Sequence, residues 1–364
     1  MILQDVEAAE MRSELTECVA QLADRVAPRS DAVARADAAA DGAFDRELWE
    51  RLIREVGILG LAVPEEQGGA GATHAELGAV VEVLGRRTAA VPLFGAALAI
   101  EALVAALESP TAGVWLPALI DGSAHGAVAF AGDLRAVEVD GVWRVTGSAP
   151  AVVDGSVTDV LIAEASTPAG ARWFGVDVAD ATRDRHETLD LVRDITTLTV
   201  DGAPATDLGD AVTEGLRNRI EAVADLLLAC EQLGVAEQSL EDAVEYAEVR
   251  EQFGRVIGSF QAVKHVLADV AVEADLARSL VEHAVWAAVQ SPRDLPEASA
   301  MALLAASRAA VLASGENVQV HGGIGFSWEH CAHLLFRKAR SNEMILHPPA
   351  ELADRVLRAE GVLA

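Results

Sequence analysis

The chain has 364 residues, of which 51% are hydrophobic, and its formal net charge at pH 7 is −29. This is more residues than one ordinary hydrophobic core accommodates, so the length predicts two or three domains. The strongly acidic balance excludes a protein that binds nucleic acid through its general surface charge, because such proteins need clustered cations.

The three cysteines, Cys18, Cys230 and Cys331, are odd in number and widely spaced. Such spacing is typical of neither a disulfide framework nor a zinc site, and we expect no metal. A reducing cytoplasm is the simplest location for a chain of this kind. The acidic N-terminal segment lacks the features of a signal peptide, and no apolar run is expected to reach the length of a membrane span.

Helical periodicity dominates from about residue 8 to residue 110. The pattern breaks at Gly57 and again over residues 64–71, which predicts a loop between two helices. Thr73 is a plausible N-cap of the second helix. Glu76 follows three residues later, as in a capping box.

The periodicity changes to two between residue 125 and about residue 206, in short runs rich in β-branched residues. This alternation indicates β-strands. The pair Asp140-Gly141 lies between two such runs and is typical of a hairpin turn. The sequence therefore predicts a small antiparallel β domain in the middle of the chain.

Helical periodicity returns at about residue 213, with breaks over 291–296 and at the prolines of 347–349, since proline ends a helix. The fold class is thus α+β, mostly α. The predicted parts are an N-terminal α-helical domain, a middle β domain and a C-terminal helical bundle, over residues 1–124, 125–210 and 211–364.

Two segments of the C-terminal part have the composition of a binding site. In residues 246–269, Arg250 is followed by Phe253-Gly254 and then by a Phe-Gln pair. In residues 317–330, paired glycines follow a helical pattern, where they can end the helix and let backbone amides approach an anion. Each segment alone is also compatible with an ordinary amphipathic helix and its cap.

Together the two segments resemble the C-terminal domain of the acyl-CoA dehydrogenase family. In that family RxxFG and FQ precede QxxGGxG by about sixty residues, as they do in this sequence. The loop over residues 57–71 resembles the family's N-terminal signature. The resemblance covers nearly the whole chain and its α, β, α order. It implies an N-terminal helical domain, a small β domain and a four-helix C-terminal bundle, with FAD-dependent α,β-desaturation of an acyl-CoA thioester.

In this family each FAD lies across a subunit interface, and the neighbour's C-terminal domain holds its pyrophosphate and adenosine. The resemblance implies that Arg250 pairs with the pyrophosphate and that Phe253 packs beside the adenine. A forked, permanently charged guanidinium suits the first role. The remaining implied contacts come from Gln261, Gln319, Gly322 and Gly323. Without a cofactor role, the two glutamines would be ordinary amides on a helix surface.

The middle domain departs from the family where its relatives meet the flavin. The region where relatives carry TExxxGSD reads AVAFAGDLRAVEVDGVW here, with neither the Thr-Glu pair nor Gly-Ser-Asp. Ala151, Val152 and Val153 stand where relatives carry Trp, Ile or Val, and Ser or Thr. Two losses on the same side of the cofactor predict that this chain lacks its own flavin half-site.

A carboxylate is needed to remove the α proton of the substrate, and neither family position carries one. The loop position is Leu346, and the alternative position on the preceding helix is Ala224. The nearest candidates for the base are Asp225 and Glu343. Asp225 is short and points away from the alternative position, and the position of Glu343 favours a solvated surface charge beside Arg340 over a catalytic role.

Two histidines flank the glycine pair, and they are compatible either with tuning a flavin or with a purely structural role. These residues are His321 and His330.

This pattern of retained and missing motifs resembles one subunit of actinobacterial heteromeric (α2β2) acyl-CoA dehydrogenases, the subunit that lacks the base and the flavin-ring contacts. Some of these enzymes act on steroid side-chain CoA esters. The implied partners are an acyl-CoA substrate, a second acyl-CoA dehydrogenase-like subunit and an electron-transfer flavoprotein. Two alternatives stay open at this point. One is a homomeric flavoprotein with altered chemistry, such as an oxidase or monooxygenase, and the other is a flavin-free scaffold subunit.

Overall fold

The N-terminal part of the chain is helical, as predicted. In this computed structural model, the residues described are 2–106 except 41 and 43, then 112–209, 213–359 and 362. The Thr73 side chain accepts a hydrogen bond from the Ala75 amide, and Glu76 closes the predicted capping box. The helices are α1 (Ile2–Val26), α2 (Ala32–Ala40), α3 (Arg46–Arg51), α4 (His74–Arg86), α5 (Leu93–Ala105) and α6 (Leu116–Ile120).

The middle part forms seven strands over the described residues. The predicted hairpin is confirmed, since Val139 pairs with Val142 around a turn in which Asp140 and Gly141 both have positive φ, the conformation of a type I′ turn. The strands are β1 (Gly126–Ala129), β2 (Arg135–Val139), β3 (Val142–Val153), β4 (Val160–Thr167), β5 (Gly170–Asp177), β6 (Thr182–Arg185) and β7 (Ile195–Asp207).

The sheet is mixed, so the prediction of an antiparallel domain was wrong for two of its strand pairings. Strand β1 runs parallel to β4, and β2 also meets β4 in parallel. The pairings β4–β2–β3–β7–β5–β4 then close the sheet into a barrel. Its core is apolar and includes Phe174 and Leu161. Strand direction depends on how the chain crosses between strands, which local alternation does not encode.

The C-terminal part begins with α7 (Thr213–Val249) and ends with α11 (Pro349–Ala359), and the four-helix bundle is confirmed. The predicted breaks separate α8 from α9 and precede α11 at Pro349. The predicted domain boundary at 210–211 lies outside the described residues. The remaining elements are a hairpin of β8 (Glu251–Gln252) and β9 (Arg255–Val256), followed by α8 (Gln261–Gln290), α9 (Leu295–His321) and α10 (Ala332–Asn342).

One stretch, Leu295–Phe326, is long and apolar enough to cross a membrane. The expectation that no apolar run reaches that length was therefore wrong. The most apolar window of this stretch is 61% buried inside the protein, because α9 packs against α7, α8, α10 and α11. Packing against four helices explains why most of this helix is apolar.

Helices α4 and α7 cross at a pair of glycines. A Cβ atom on Gly85 would lie 2.5 Å from the Glu231 carbonyl oxygen, and one on Gly234 would lie 2.2 Å from the Glu82 carbonyl oxygen. Both distances are shorter than any real carbon–oxygen contact. The two backbones can therefore touch only because both positions lack a side chain, and this contact joins the N-terminal helices to the C-terminal bundle in one core.

Candidate functional site

The two segments predicted to bind the cofactor meet at one end of the helical bundle. Tyr246, in the last turn of α7, stacks on His321, the last residue of α9, with ring centroids 4.2 Å apart. Arg250 follows Tyr246 by one helical turn, and Gly322 follows His321 directly. The close ring contact therefore brings the RxxFG segment and the glycine loop together, although they lie about seventy residues apart in the chain.

The hairpin after α7 holds an aromatic side chain out into solvent. Phe253 and Gly254 form its turn, with φ values of 53° and 77°. A positive φ is rare for a bulky residue, and such strain tends to collect at functional sites. The Phe253 side chain is nonetheless 93% exposed. No burial compensates for this strain, which favours the predicted role of Phe253 as a stacking surface for a ligand.

The glycine loop ends α9 and leaves its own surface open. Gly322 has φ 63° and ψ −138°, a combination that glycine adopts and other residues avoid. A Cβ atom on Gly323 would have nothing within 4 Å, whereas one on Gly325 would lie 2.9 Å from the Val318 carbonyl oxygen. Gly325 is thus required by internal packing, while the surface at Gly322-Gly323 is free for a ligand to approach.

The remaining predicted cofactor residues also lie at this end, and all are exposed. Gln261 begins α8, directly after Phe260, whose ring packs edge-on to Phe253 at 6.2 Å. Gln319 lies in the last turn of α9. No ion pair joins the Arg250 guanidinium to another described residue. An unpaired guanidinium beside an open glycine loop fits the pyrophosphate of FAD.

The first candidate for the base, Asp225, is fully buried in α7 and faces the C-terminal helix. Its carboxylate lies 2.9 Å from the Arg355 guanidinium and 3.9 Å from Nε2 of His347. Burial raises the pKa of Asp225 to about 6, against the opposing attraction of Arg355 and His347. The structure therefore places Asp225 in an ion pair that fastens α11 to α7, and its catalytic role stays a prediction.

The pKa of Asp225 predicts how Asp225→Asn will affect stability. The pKa of Asp225 is about 6 in the folded protein, and its ordinary value is 3.8. At pH values between these two, folding is therefore accompanied by uptake of a proton. The contribution of Asp225 to stability is therefore fully present below about pH 4 and lost as the pH rises through about 6. We expect the free energy of unfolding of Asp225→Asn, relative to the wild type, to rise by roughly 1–3 kcal/mol across this window.

Urea unfolding of both proteins at pH values from 4 to 7 measures this difference. A difference that stays constant with pH would contradict the raised pKa of Asp225.

The second candidate, Glu343, follows α10 and forms an ion pair with Arg340 at 2.7 Å. Leu346, the loop position where relatives carry the base, packs against the helical core. Ala224, the alternative position, is fully buried. Neither family position offers a carboxylate here.

The middle domain presents no flavin-facing hydroxyl or aromatic ring at the three predicted positions. Ala151 lies in a bulge of β3 with φ 52°, and Val152 and Val153 are buried. Nearby, the Arg217 guanidinium donates to the Phe130 carbonyl oxygen at 3.2 Å. This hydrogen bond joins Arg217 to the end of β1, in the region that stands in place of TExxxGSD.

A buried network of charges was missed by sequence reasoning. Lys338 of α10 is 1% exposed and lies 3.0 Å from Asp190 and 3.1 Å from Glu231. Glu231 also pairs with Arg193. Burial raises the pKa of Glu231, but Arg193 and Lys338 outweigh it, so that the pKa is lowered to about 2. The network joins the barrel to α7 and α10, and a lysine on the apolar face of a helix was its one sequence signal.

Both helical parts match models of one protein family. Residues 9–123 match the N-terminal domain of acyl-CoA dehydrogenases, and residues 223–346 match their C-terminal domain. The acyl-CoA dehydrogenase IpdE2 of Mycobacterium tuberculosis is 37% identical over 349 residues, which cover 95% of this chain and 96% of that protein. The chain belongs to the acyl-CoA dehydrogenase family.

Two solved structures of complexes share the fold over almost the whole chain. The Tcur3481-Tcur3483 steroid acyl-CoA dehydrogenase variant has a TM-score of 0.85 at 31% identity and covers 98% of this chain and 100% of its own. The ChsE4-ChsE5 complex of Mycobacterium tuberculosis has a TM-score of 0.85 at 29% identity, with coverage of 97% and 98%. The expected fold and enzyme class, an oxidoreductase of this family, are thereby confirmed.

Proposed function

We propose that the chain is the base-lacking subunit of a heteromeric, FAD-dependent acyl-CoA dehydrogenase. It would supply the pyrophosphate and adenosine contacts to a flavin held mainly by a second, acyl-CoA dehydrogenase-like subunit. The observation that carries this proposal is the exposure of every predicted cofactor residue at one end of the bundle. Residues that hold a ligand within their own chain usually line a concave site, whereas these face outward.

The losses in the rest of the chain support the same division of roles. Positions 151–153 carry neither the aromatic ring nor the hydroxyl that relatives place against the flavin. The two positions for a catalytic base carry Leu346 and Ala224. Asp225, the nearest carboxylate, is held by Arg355 at 2.9 Å and is fully buried. A chain with these features would complete another subunit's active site.

Within such a complex the chain's own residues bind and orient. FAD, when bound, would supply the acceptor for the hydride from the β carbon of the acyl group. The fixed charge of Arg250 would hold the pyrophosphate, and the open loop at Gly322-Gly323 would admit the dinucleotide backbone closely. Phe253 would cover the adenine. The α proton would pass to a carboxylate of the second subunit, because this chain offers none at the family positions.

The similar proteins support a proposal for the substrate class. One similar structure is described as a steroid acyl-CoA dehydrogenase, and we propose the CoA ester of a steroid side chain as the substrate. Electron-transfer flavoprotein would be the electron acceptor, and the complex would work in the cytoplasm. An α2β2 assembly would contain two copies of this chain.

The proposal is tested by expressing the chain alone and together with acyl-CoA dehydrogenase-like subunits encoded in the same genome. Visible absorbance reports the bound flavin, and the mass in solution reports assembly. We expect a colourless lone chain, and a yellow, active α2β2 complex with the correct subunit. A yellow and fully active lone chain would show a homomeric flavoprotein instead. A complex without flavin would show a scaffold subunit.

A further inference from the structure

A cleft of about 560 Å³ lies beside the predicted cofactor segments. It is bounded by the short 3-10 helix after α1, by the C-terminal end of α7 and by the loop that follows α9. None of the predicted cofactor residues lines it. Its floor and rim include Glu245, Tyr246, His321, Glu329 and His330.

The floor of the cleft is a stack of three rings. His321 lies between Tyr246 and His330, with ring centroids 4.2 Å and 4.4 Å away. Nδ1 of His321 donates to the Asn317 carbonyl oxygen at 2.9 Å, because a carbonyl oxygen can only accept. Burial, and then His321, lower the pKa of His330. The aromatic face of Tyr246 at this stack suits a cationic group.

The rim of the cleft carries an excess of negative charge. Arg29 donates to both carboxylate oxygens of Asp242, at 2.8 Å and 2.6 Å, so these two charges neutralise each other. Glu245 and Glu329 are exposed, and no ion pair joins either to another described residue. Two unpaired carboxylates beside aromatic rings would bind an arginine or a lysine side chain strongly.

Exposed aromatic side chains lie next to the cleft in the loop that follows Gly323. Phe326 is 74% exposed and Trp328 is 51% exposed, with the Arg337 guanidinium 5.5 Å from the Trp328 ring. Clustered exposed aromatics beside a concave site are typical of an interface. Phe326 is three residues from Gly323, at most about 11 Å along the chain. A subunit whose flavin reaches Gly322-Gly323 would therefore lie within reach of this surface as well.

We infer that the cleft receives an arginine or lysine side chain of the flavin-holding subunit, and that Phe326 and Trp328 pack against the same subunit. The inference rests on the proposed function, because it takes the flavin-holding subunit as the occupant. It adds a docking contact that is separate from the contacts with the flavin. Charge complementarity selects the occupant, since a second copy of this strongly acidic chain would bring further carboxylates to the rim.

The double variant Glu245→Gln, Glu329→Gln tests the charged contact. The double variant is co-expressed with the flavin-holding subunit, and the dissociation constant of the two subunits is measured. We expect this constant to rise at least about 30-fold relative to the wild type. The matched control, Glu66→Gln with Glu138→Gln, removes two exposed carboxylates elsewhere and should change the constant less than about 2-fold. Thermal unfolding of the free chain verifies that both variants fold.

A separate pair of variants tests the aromatic contact. Phe326→Ser should weaken the complex about 10-fold or more, whereas Val139→Ser, a change at a residue 51% exposed at the tip of the β2–β3 hairpin, should leave it unchanged. Each variant is purified in complex with the flavin-holding subunit, and its dissociation constant is measured in the same way.

The outcomes separate the inference from the proposed function. If the wild-type chain forms no complex with any acyl-CoA dehydrogenase-like subunit, both fail. If the complex forms and the double variant binds as tightly as the control, only the docking inference fails. If the variants instead dissociate a homodimer of the lone chain, the occupant is a second copy and the inference is overturned.

Discussion

Arg250→Ala should remove most of the flavin from the complex. The Arg250 guanidinium is exposed and has no ion pair with another described residue, so its charge is available to the pyrophosphate. Loss of a bidentate, charge-assisted contact costs about 2–3 kcal/mol, which corresponds to roughly a 100-fold weaker affinity. Flavin absorbance per complex after gel filtration measures the occupancy.

Arg293→Ala is a matched control for this variant. Arg293 is a highly exposed arginine that precedes α9, and a helix of this length places it roughly 40 Å from Gly322. Arg250→Lys keeps the charge but loses the forked geometry, and we expect an intermediate occupancy. Full flavin occupancy in Arg250→Ala would refute the role assigned to this residue.

Lys338→Met should be the most destabilising of these substitutions. Lys338 is 1% exposed and lies between two carboxylates, Asp190 at 3.0 Å and Glu231 at 3.1 Å. Removing the ammonium group leaves Asp190 buried without its cation, since Arg193 pairs with Glu231. Breaking a buried ion pair in this way costs about 3–5 kcal/mol. The free energy of unfolding in urea at pH 7 measures the loss.

Arg308→Met provides the comparison for a surface ion pair. Arg308 pairs with Glu273 at 2.9 Å, but its side chain is 74% exposed. Solvent screening limits such a pair to about 1 kcal/mol or less. Equal effects of the two substitutions would mean that the Lys338 network contributes no more than a surface pair.

Local sequence signals identified the elements that are stabilised by near neighbours. The capping box of Thr73 and Glu76 and the Asp140-Gly141 turn are both formed by residues within four positions of each other. Their chemistry is complete within one turn of chain, so the sequence alone specifies them. The glycines that end α9 are of the same kind.

Contacts between distant parts of the chain were beyond the reach of these signals. The parallel pairing of β1 with β4 depends on the whole barrel. The ion pair of Asp225 with Arg355 joins residues 130 positions apart, and nothing local distinguishes Asp225 from a surface carboxylate. At the candidate site, the family pattern indicated the segments, whereas the ring stack of Tyr246 and His321 that joins them emerged from the fold.

The glycine crossing of α4 and α7 has a consequence for exchanging parts between related subunits. Gly85 and Gly234 each leave room for the backbone of the other helix. A chimera that takes its first hundred residues from a relative with alanine at position 85 would force the two helices apart. Gly85 and Gly234 should therefore be inherited as a pair, and recombination between them should succeed only among subunits that share both.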